Sequence, residues 1–252
     1  MPSKFSRLEK IVICMSIAFA VCFALPATVS AMHIMEGYLP VGYCVLWGAI
    51  CVPFLIIGFI RIKKIIRENR RALILLAMSG AFIFVLSSLK IPSVTGSCSH
   101  MTGTGLSTIL FGVTSTSILG IIVLIFQAIL LAHGGLTTLG ANCFSMAIGG
   151  PIITWLLYKG GTGLKINRSF TIFIATMLGD WFTYCITAFQ LALAYPSQVG
   201  GIPASAVKFL SVYAPTQVPL SIVEGILSVL IVIGLESFAS RELSAISYGE
   251  AK

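Results

Sequence analysis

Residues 103–133 read GTGLSTILFGVTSTSILGIIVLIFQAILLAH, and whether they form one helix or two decides the topology of the whole chain. As a single helix they would run ~45 Å at ~1.5 Å per residue, against a membrane hydrocarbon core of ~30 Å. Two short helices, 103–114 and 116–133, fit better, with a polar turn near Thr114-Ser115-Thr116-Ser117. Further apolar segments at 40–60, 72–90, 138–158, 169–195 and 216–239 bring the count to seven spans. The setting follows from composition. The chain is 57% hydrophobic and 10% charged, with a mean hydropathy of +1.02, whereas soluble domains are ~25% charged. The expected fold is an all-α integral membrane protein.

Charge tests the count independently. The net charge of +8 is concentrated in Arg61, Lys63, Lys64, Arg67, Arg70 and Arg71, between two apolar segments, which is the pattern of a cytoplasmic loop rather than a nucleic-acid surface. With the chain starting outside at residue 32, seven spans place 61–71, 159–168 and 241–252 on the cytoplasmic side. Counting 103–133 as one span would put Lys159, Lys165 and Arg168 outside, against the positive-inside rule. In the seven-span arrangement His33, His100 and His133, all the histidines of the sequence, fall at the outer side.

The first 31 residues read as a secretory leader. Lys4, Arg7 and Lys10 are followed by an apolar run from Ile11 to Leu25, then Val29-Ser30-Ala31, a small-residue cleavage motif. Pro26 ends the helix and leaves the site extended; an uncleaved first membrane helix is the alternative. The expected organisation is therefore 1–31 as signal peptide and 32–252 as one transmembrane domain.

Cleavage after Ala31 would do more than trim the chain. The free amine of Met32, the His33 backbone nitrogen and His33 Nδ1 would close a five-membered and a six-membered chelate ring on one ion. That supplies three nitrogens in a plane, and His100 is the candidate for the fourth. A tetragonal nitrogen site suits Ni(II) or Cu(II), and Co(II) in a low-spin planar state. Binding should weaken as pH falls, because amine (~7.7–8.0) and imidazole (~6.5) must both be deprotonated.

Other polar residues read less sharply. His133, before Gly134-Gly135 at a helix end, is expected to satisfy free carbonyls there. Glu36 is placed to orient His33. Asp180 and Glu224 lie in the middle of apolar spans with no basic partner in sequence, leaving protonation, hydrogen bonding across helices, contact with a coupling subunit and plain packing as alternatives. Cys44, Cys51, Cys143 and Cys185 read as packing residues. Cys98, two residues before His100, is a weak candidate to assist a soft metal.

Four stretches carry a resemblance: MHIMEGYLP at 32–40, SHMTGTGL at 99–106, HGGLTTLGAN at 133–142 and QVPLSIVEG at 217–225. Together they resemble CbiM, the cobalt-transport substrate-binding subunit family, with its nickel relative NikM beside it. The resemblance implies an energy-coupling-factor importer in the bacterial or archaeal cytoplasmic membrane, with the mature N-terminus outside. In such a system a CbiQ-like coupling subunit, a CbiO-like ATPase and a small CbiN-like subunit complete the machine. It also implies Co(II) ahead of Ni(II) as cargo, held by Met32, His33 and His100. Met101 departs from the proline that the cobalt branch implies at that position. No Gly-x-x-x-x-Gly-Lys-Ser/Thr occurs, as expected of a subunit that relies on a separate ATPase. Two rival readings are an intramembrane enzyme built on Asp180, Glu224 or His133, which lacks a paired catalytic motif, and a vitamin-capturing subunit of the same importer class.

Overall fold

A computed structural model describes residues 30–31, 33–92, 97–244 and 246. Met32 and residues 1–29 lie outside these, so the leader and the terminal amine are not described. Three minimal strands, β1 (Ser30–Ala31), β2 (Ile91–Pro92) and β3 (Ser97–Ser99), form one sheet in the order β1-β3-β2, with β1 parallel and β2 antiparallel to β3. The rest is helical: α1 (Val41–Glu68), α2 (Ala72–Ser88), α3 (Thr104–Phe111), α4 (Val113–Leu130) and α5 (Leu139–Asn142). A π-helical turn (Cys143–Gly149) joins α5 to α6 (Gly150–Gly163), and α7 (Arg168–Ala194), α8 (Gly201–Phe238) and α9 (Ser240–Ser244) follow.

Five helical stretches are long and apolar enough to cross a membrane: Val41–Glu68, Val113–Leu130, Leu139–Gly163, Arg168–Ala194 and Gly201–Phe238. The surface matches that reading. Val45, Ile56, Phe59, Ile60, Ile129, Leu130 and Leu230 are exposed, while His, Gln, Asp, Glu, Ser and Thr side chains are buried. With lipid outside, apolar burial drives little, and helices associate through close packing and internal hydrogen bonds. The crossing of α6 and α7 illustrates this: a Cβ on Gly150 would meet the Gly179 carbonyl at 2.9 Å, and one on Gly179 would meet the Gly150 carbonyl at 3.1 Å.

The 103–133 stretch does divide, but not where the polar turn was expected. The break is at Gly112, whose φ of 82° and ψ of 170° suit a residue without a Cβ. Thr114 to Ser117 instead form the first turns of α4, and there the Ser117 hydroxyl donates to the Thr114 carbonyl at 2.7 Å. Ser107 of α3 and Thr116 of α4 share a hydroxyl hydrogen bond at 3.0 Å, so the pair is an antiparallel hairpin. Its tip lies against the Arg61 guanidinium, 3.3 Å from a Cβ placed on Gly112. The chain thus turns at the same end as the basic loop.

Two of the expected spans are corrected in their bounds. The first short helix, expected over 103–114, is α3, which at eight residues rises only ~12 Å, less than half the ~30 Å core, and every residue in it is buried. The last apolar span, expected from 216, begins at Gly201, so Pro215 as well as Pro219 lies inside it.

Candidate metal centre

Non-helical backbone leads into α3 from above. Residues 97–103 descend to mid-bundle, reaching Asp180 on α7 and Glu224 on α8, and at that depth each peptide group needs a protein partner because lipid offers none. The Tyr184 hydroxyl accepts from the His100 N–H at 2.9 Å and donates to the His100 carbonyl at 2.8 Å. The Thr102 N–H donates to Asp180 Oδ1 at 3.1 Å and Glu224 Oε2 at 2.7 Å, and its hydroxyl donates to Glu224 Oε1 at 3.2 Å. Gln217 Nε2 donates to Asp180 and reaches the His100 carbonyl at 3.5 Å. Asp180 and Glu224, which sequence left without partners, replace the hydrogen bonds that a helix would have supplied.

The N-terminal segment is pinned from the opposite side. Asn142 accepts from the Ile34 N–H at 2.7 Å and donates to the Ile34 carbonyl at 3.0 Å, as a neighbouring strand would. The Thr138 hydroxyl donates to the same carbonyl at 2.6 Å. Close approach is possible because Gly134 and Gly135 lack side chains: Cβ atoms there would stand 3.2 Å from His33 Cβ and 2.5 Å from Glu36 Cα.

These two supports bring three imidazoles together. His33, His100 and His133 are 1%, 0% and 3% exposed, and one ligand atom from each lies within 4.8 Å of the others. Ring centroids are 4.9 Å apart for His33 and His100, 4.5 Å for His33 and His133, and 5.2 Å for His100 and His133. Among the described residues, His33 Nδ1, His100 Nε2 and His133 Nε2 have no hydrogen-bond partner.

Hydrogen bonds at the other ring nitrogens set two of the tautomers. His100 Nδ1 lies 2.9 Å from the Met101 carbonyl; a carbonyl only accepts, so Nδ1 carries the proton and Nε2 keeps its lone pair. His33 Nε2 lies 3.2 Å from the Met146 thioether, also only an acceptor, which leaves the lone pair on Nδ1. Burial first and His100 next lower the His133 pKa to about 2. His33 is driven well below its ordinary value by burial, then by His133 and His100. Both are neutral donors at physiological pH.

Two expectations change. Glu36 is exposed, and its carboxylate accepts the Thr137 N–H at 3.2 Å rather than orienting His33. The His133 ring stands beside those of His33 and His100, while at the end of α4 it is the His133 backbone N–H that donates to the Gln127 carbonyl, at 3.1 Å. Met32 lies outside the described residues, and of Cys98 only the backbone is described. Cys51, by contrast, is a packing residue whose thiol donates to the Gly140 carbonyl at 3.2 Å. Sequence reasoning missed Met146, Tyr184, Asn142 and Gln217. Asn142 and Gln217 lie within the motif stretches, whereas Met146 and Tyr184 sit in apolar runs with no distinguishing signal.

Comparison with known proteins agrees with this geometry. A family model described as "Cobalt uptake substrate-specific transmembrane region" matches residues 33–242. The chain is similar to a cobalt transport protein from Lachnoclostridium phytofermentans, 62% identical over 239 residues, covering 95% of this chain and 96% of the relative. A cobalt transport protein from Ruminiclostridium cellulolyticum is 52% identical over 235 residues, covering 93% and 95%. Among solved structures, a truncated transition metal transporter superposes with a TM-score of 0.69 at 26% identity, covering 81% of this chain and 98% of that one. A second transition metal transporter gives 0.68 at 28%, covering 81% and 92%.

Proposed function

The chain belongs to the CbiM family of cobalt uptake substrate-specific transmembrane proteins, and from that premise we propose that it captures Co(II) at the outer face of the membrane for an energy-coupling-factor importer. It is a multi-pass transporter subunit rather than an enzyme. The partners in this reading are a CbiQ-like coupling subunit, a CbiO-like ATPase and a CbiN-like small subunit, in the bacterial or archaeal cytoplasmic membrane. Residues 1–31 are removed as a signal peptide, and the mature N-terminus lies outside. The chain then passes seven times, with the descending 97–103 segment and α3 together making one pass.

The captured ion is held by the Met32 amine, the His33 amide nitrogen, His33 Nδ1 and His100 Nε2. The observation that carries this reading is the convergence of bare, buried ring nitrogens on His33 and His100, each with its other nitrogen already hydrogen-bonded. An unpaired buried acceptor costs ~1–3 kcal/mol, and an ion recovers that cost for both at once. Co(II) stands ahead of Ni(II) on the family relationship.

Intact-mass and metal analysis of the protein purified from cobalt-supplemented cells tests the reading. The expected result is a chain beginning at Met32 with about one ion bound. A chain beginning at Met1 and free of metal would overturn it.

A further inference from the structure

Three imidazoles meet where the proposed chelate uses two. The third is His133, whose backbone N–H joins that of Leu131 in donating to the Gln127 carbonyl, at 3.1 and 3.0 Å, while its ring stands among the other two imidazoles. The chain accepts strain to present it. Ala132 sits at φ 46° and Gly134 at φ 78°, the left-handed region that a residue with a Cβ rarely adopts. This double turn carries the His133 side chain from the exposed end of α4 to the buried cluster, where Nε2 has no partner among the described residues. Its ring stands at 72° to that of His33 and 66° to that of His100, while those two are only 42° apart.

We propose that His133 Nε2 is an axial fifth ligand to the captured ion, completing a square pyramid over the four-nitrogen plane and tilting the site from Ni(II) toward Co(II). The assignment rests on the planar chelate of the preceding section. Planar low-spin Ni(II) holds an electron pair in the orbital pointing at an axial donor and is repelled by it. Low-spin Co(II) has a single electron there and accepts the donor. An axial imidazole therefore opposes the ordinary affinity order, in which Ni(II) exceeds Co(II) at nitrogen sites. In this square pyramid the three imidazole nitrogens are mutually cis, ~3.0 Å apart at ~2.1 Å per bond, so a spread of up to 4.8 Å closes by up to ~1.8 Å on loading.

Electron paramagnetic resonance of the full-length mature protein, loaded anaerobically with Co(II) alone, tests the assignment. The unpaired electron points along the axis, so one axial nitrogen splits each parallel cobalt line into three, and uniform 15N-histidine labelling changes three to two. The sequence has only three histidines; with His33 and His100 in the plane, an axial histidine nitrogen is His133. His133→Met, which substitutes sulfur for nitrogen, is expected to keep the ion, lose the splitting and lower the ratio of Co(II) to Ni(II) affinity about tenfold. A low-spin spectrum without the splitting overturns the axial role alone, as does splitting that persists in His133→Met. A high-spin spectrum overturns the planar chelate and the axial role with it, and failure to bind Co(II) overturns the proposed function.

Discussion

A buried imidazole with one nitrogen hydrogen-bonded and the other bare is oriented before its ion arrives. At His33 the orienting group is the Met146 sulfur, a weak acceptor that costs little to bury. Met146→Leu keeps the volume and removes the acceptor, so His33 loses its tautomer preference; Co(II) affinity is expected to fall about tenfold, measured by competition with a chelating dye, with the fold intact. The same burial sets the response to pH. Because His133 ionises at about 2, His33 is also driven down and the His100 tautomer already leaves Nε2 its lone pair, the imidazoles do not compete for protons near neutrality. The sequence expectation that imidazole and amine both titrate is thereby narrowed. Only the terminal amine (~7.7–8.0) and the metal-displaced amide release protons between about pH 5.5 and 7.5. Affinity should fall about a hundredfold per unit of acidification, a log-log slope of two measured by titration calorimetry. A slope steepening to three or more below pH 6.5 would show that the imidazoles are not held neutral.

At the scale of elements, the descending 97–103 segment is the unusual feature, and α7 and α8 hold it through Tyr184, Asp180, Gln217 and Glu224. Tyr184→Phe removes only the hydroxyl that both accepts from and donates to His100. It strands the buried His100 N–H at ~1–3 kcal/mol and leaves the His100 carbonyl only Gln217 Nε2 at 3.5 Å. The variant is expected to show faster amide exchange confined to 97–103 and at least tenfold weaker Co(II) binding, while α1 and α4 keep their protection. Unchanged exchange in that segment would mean that the hydroxyl does not hold it. This segment also marks how far the sequence could be read. The helices themselves were legible, since apolar runs longer than the membrane is thick leave little choice. The split of 103–133 was legible too, because one helix was too long. Its position was not: Gly112 and the Thr114–Ser117 run are both plausible breakers locally, and the choice depends on Arg61 and the packing of α1. The depth of His100 was hidden for the same reason. A polar loop reads as a surface connection until the buried carboxylates on two distant helices are known to face it.

For the whole molecule, the centre joins the N-terminal segment, the descending loop and the α4–α5 connection, and its three buried imidazole nitrogens have no partner among the described residues. Loading should therefore stabilise the entire bundle rather than one loop. Free Co(II) at a hundred times its dissociation constant is expected to add ~2.7 kcal/mol, seen as a higher unfolding temperature of the detergent-solubilised mature protein. One residue added before Met32 leaves the three histidines and their supports untouched but converts the amine into an amide with no lone pair to give. That extended chain should unfold at the same temperature as the unmodified apo protein and gain nothing from Co(II). An equal Co(II)-induced shift in the two proteins would mean that the imidazoles suffice and that the terminal amine is not a ligand.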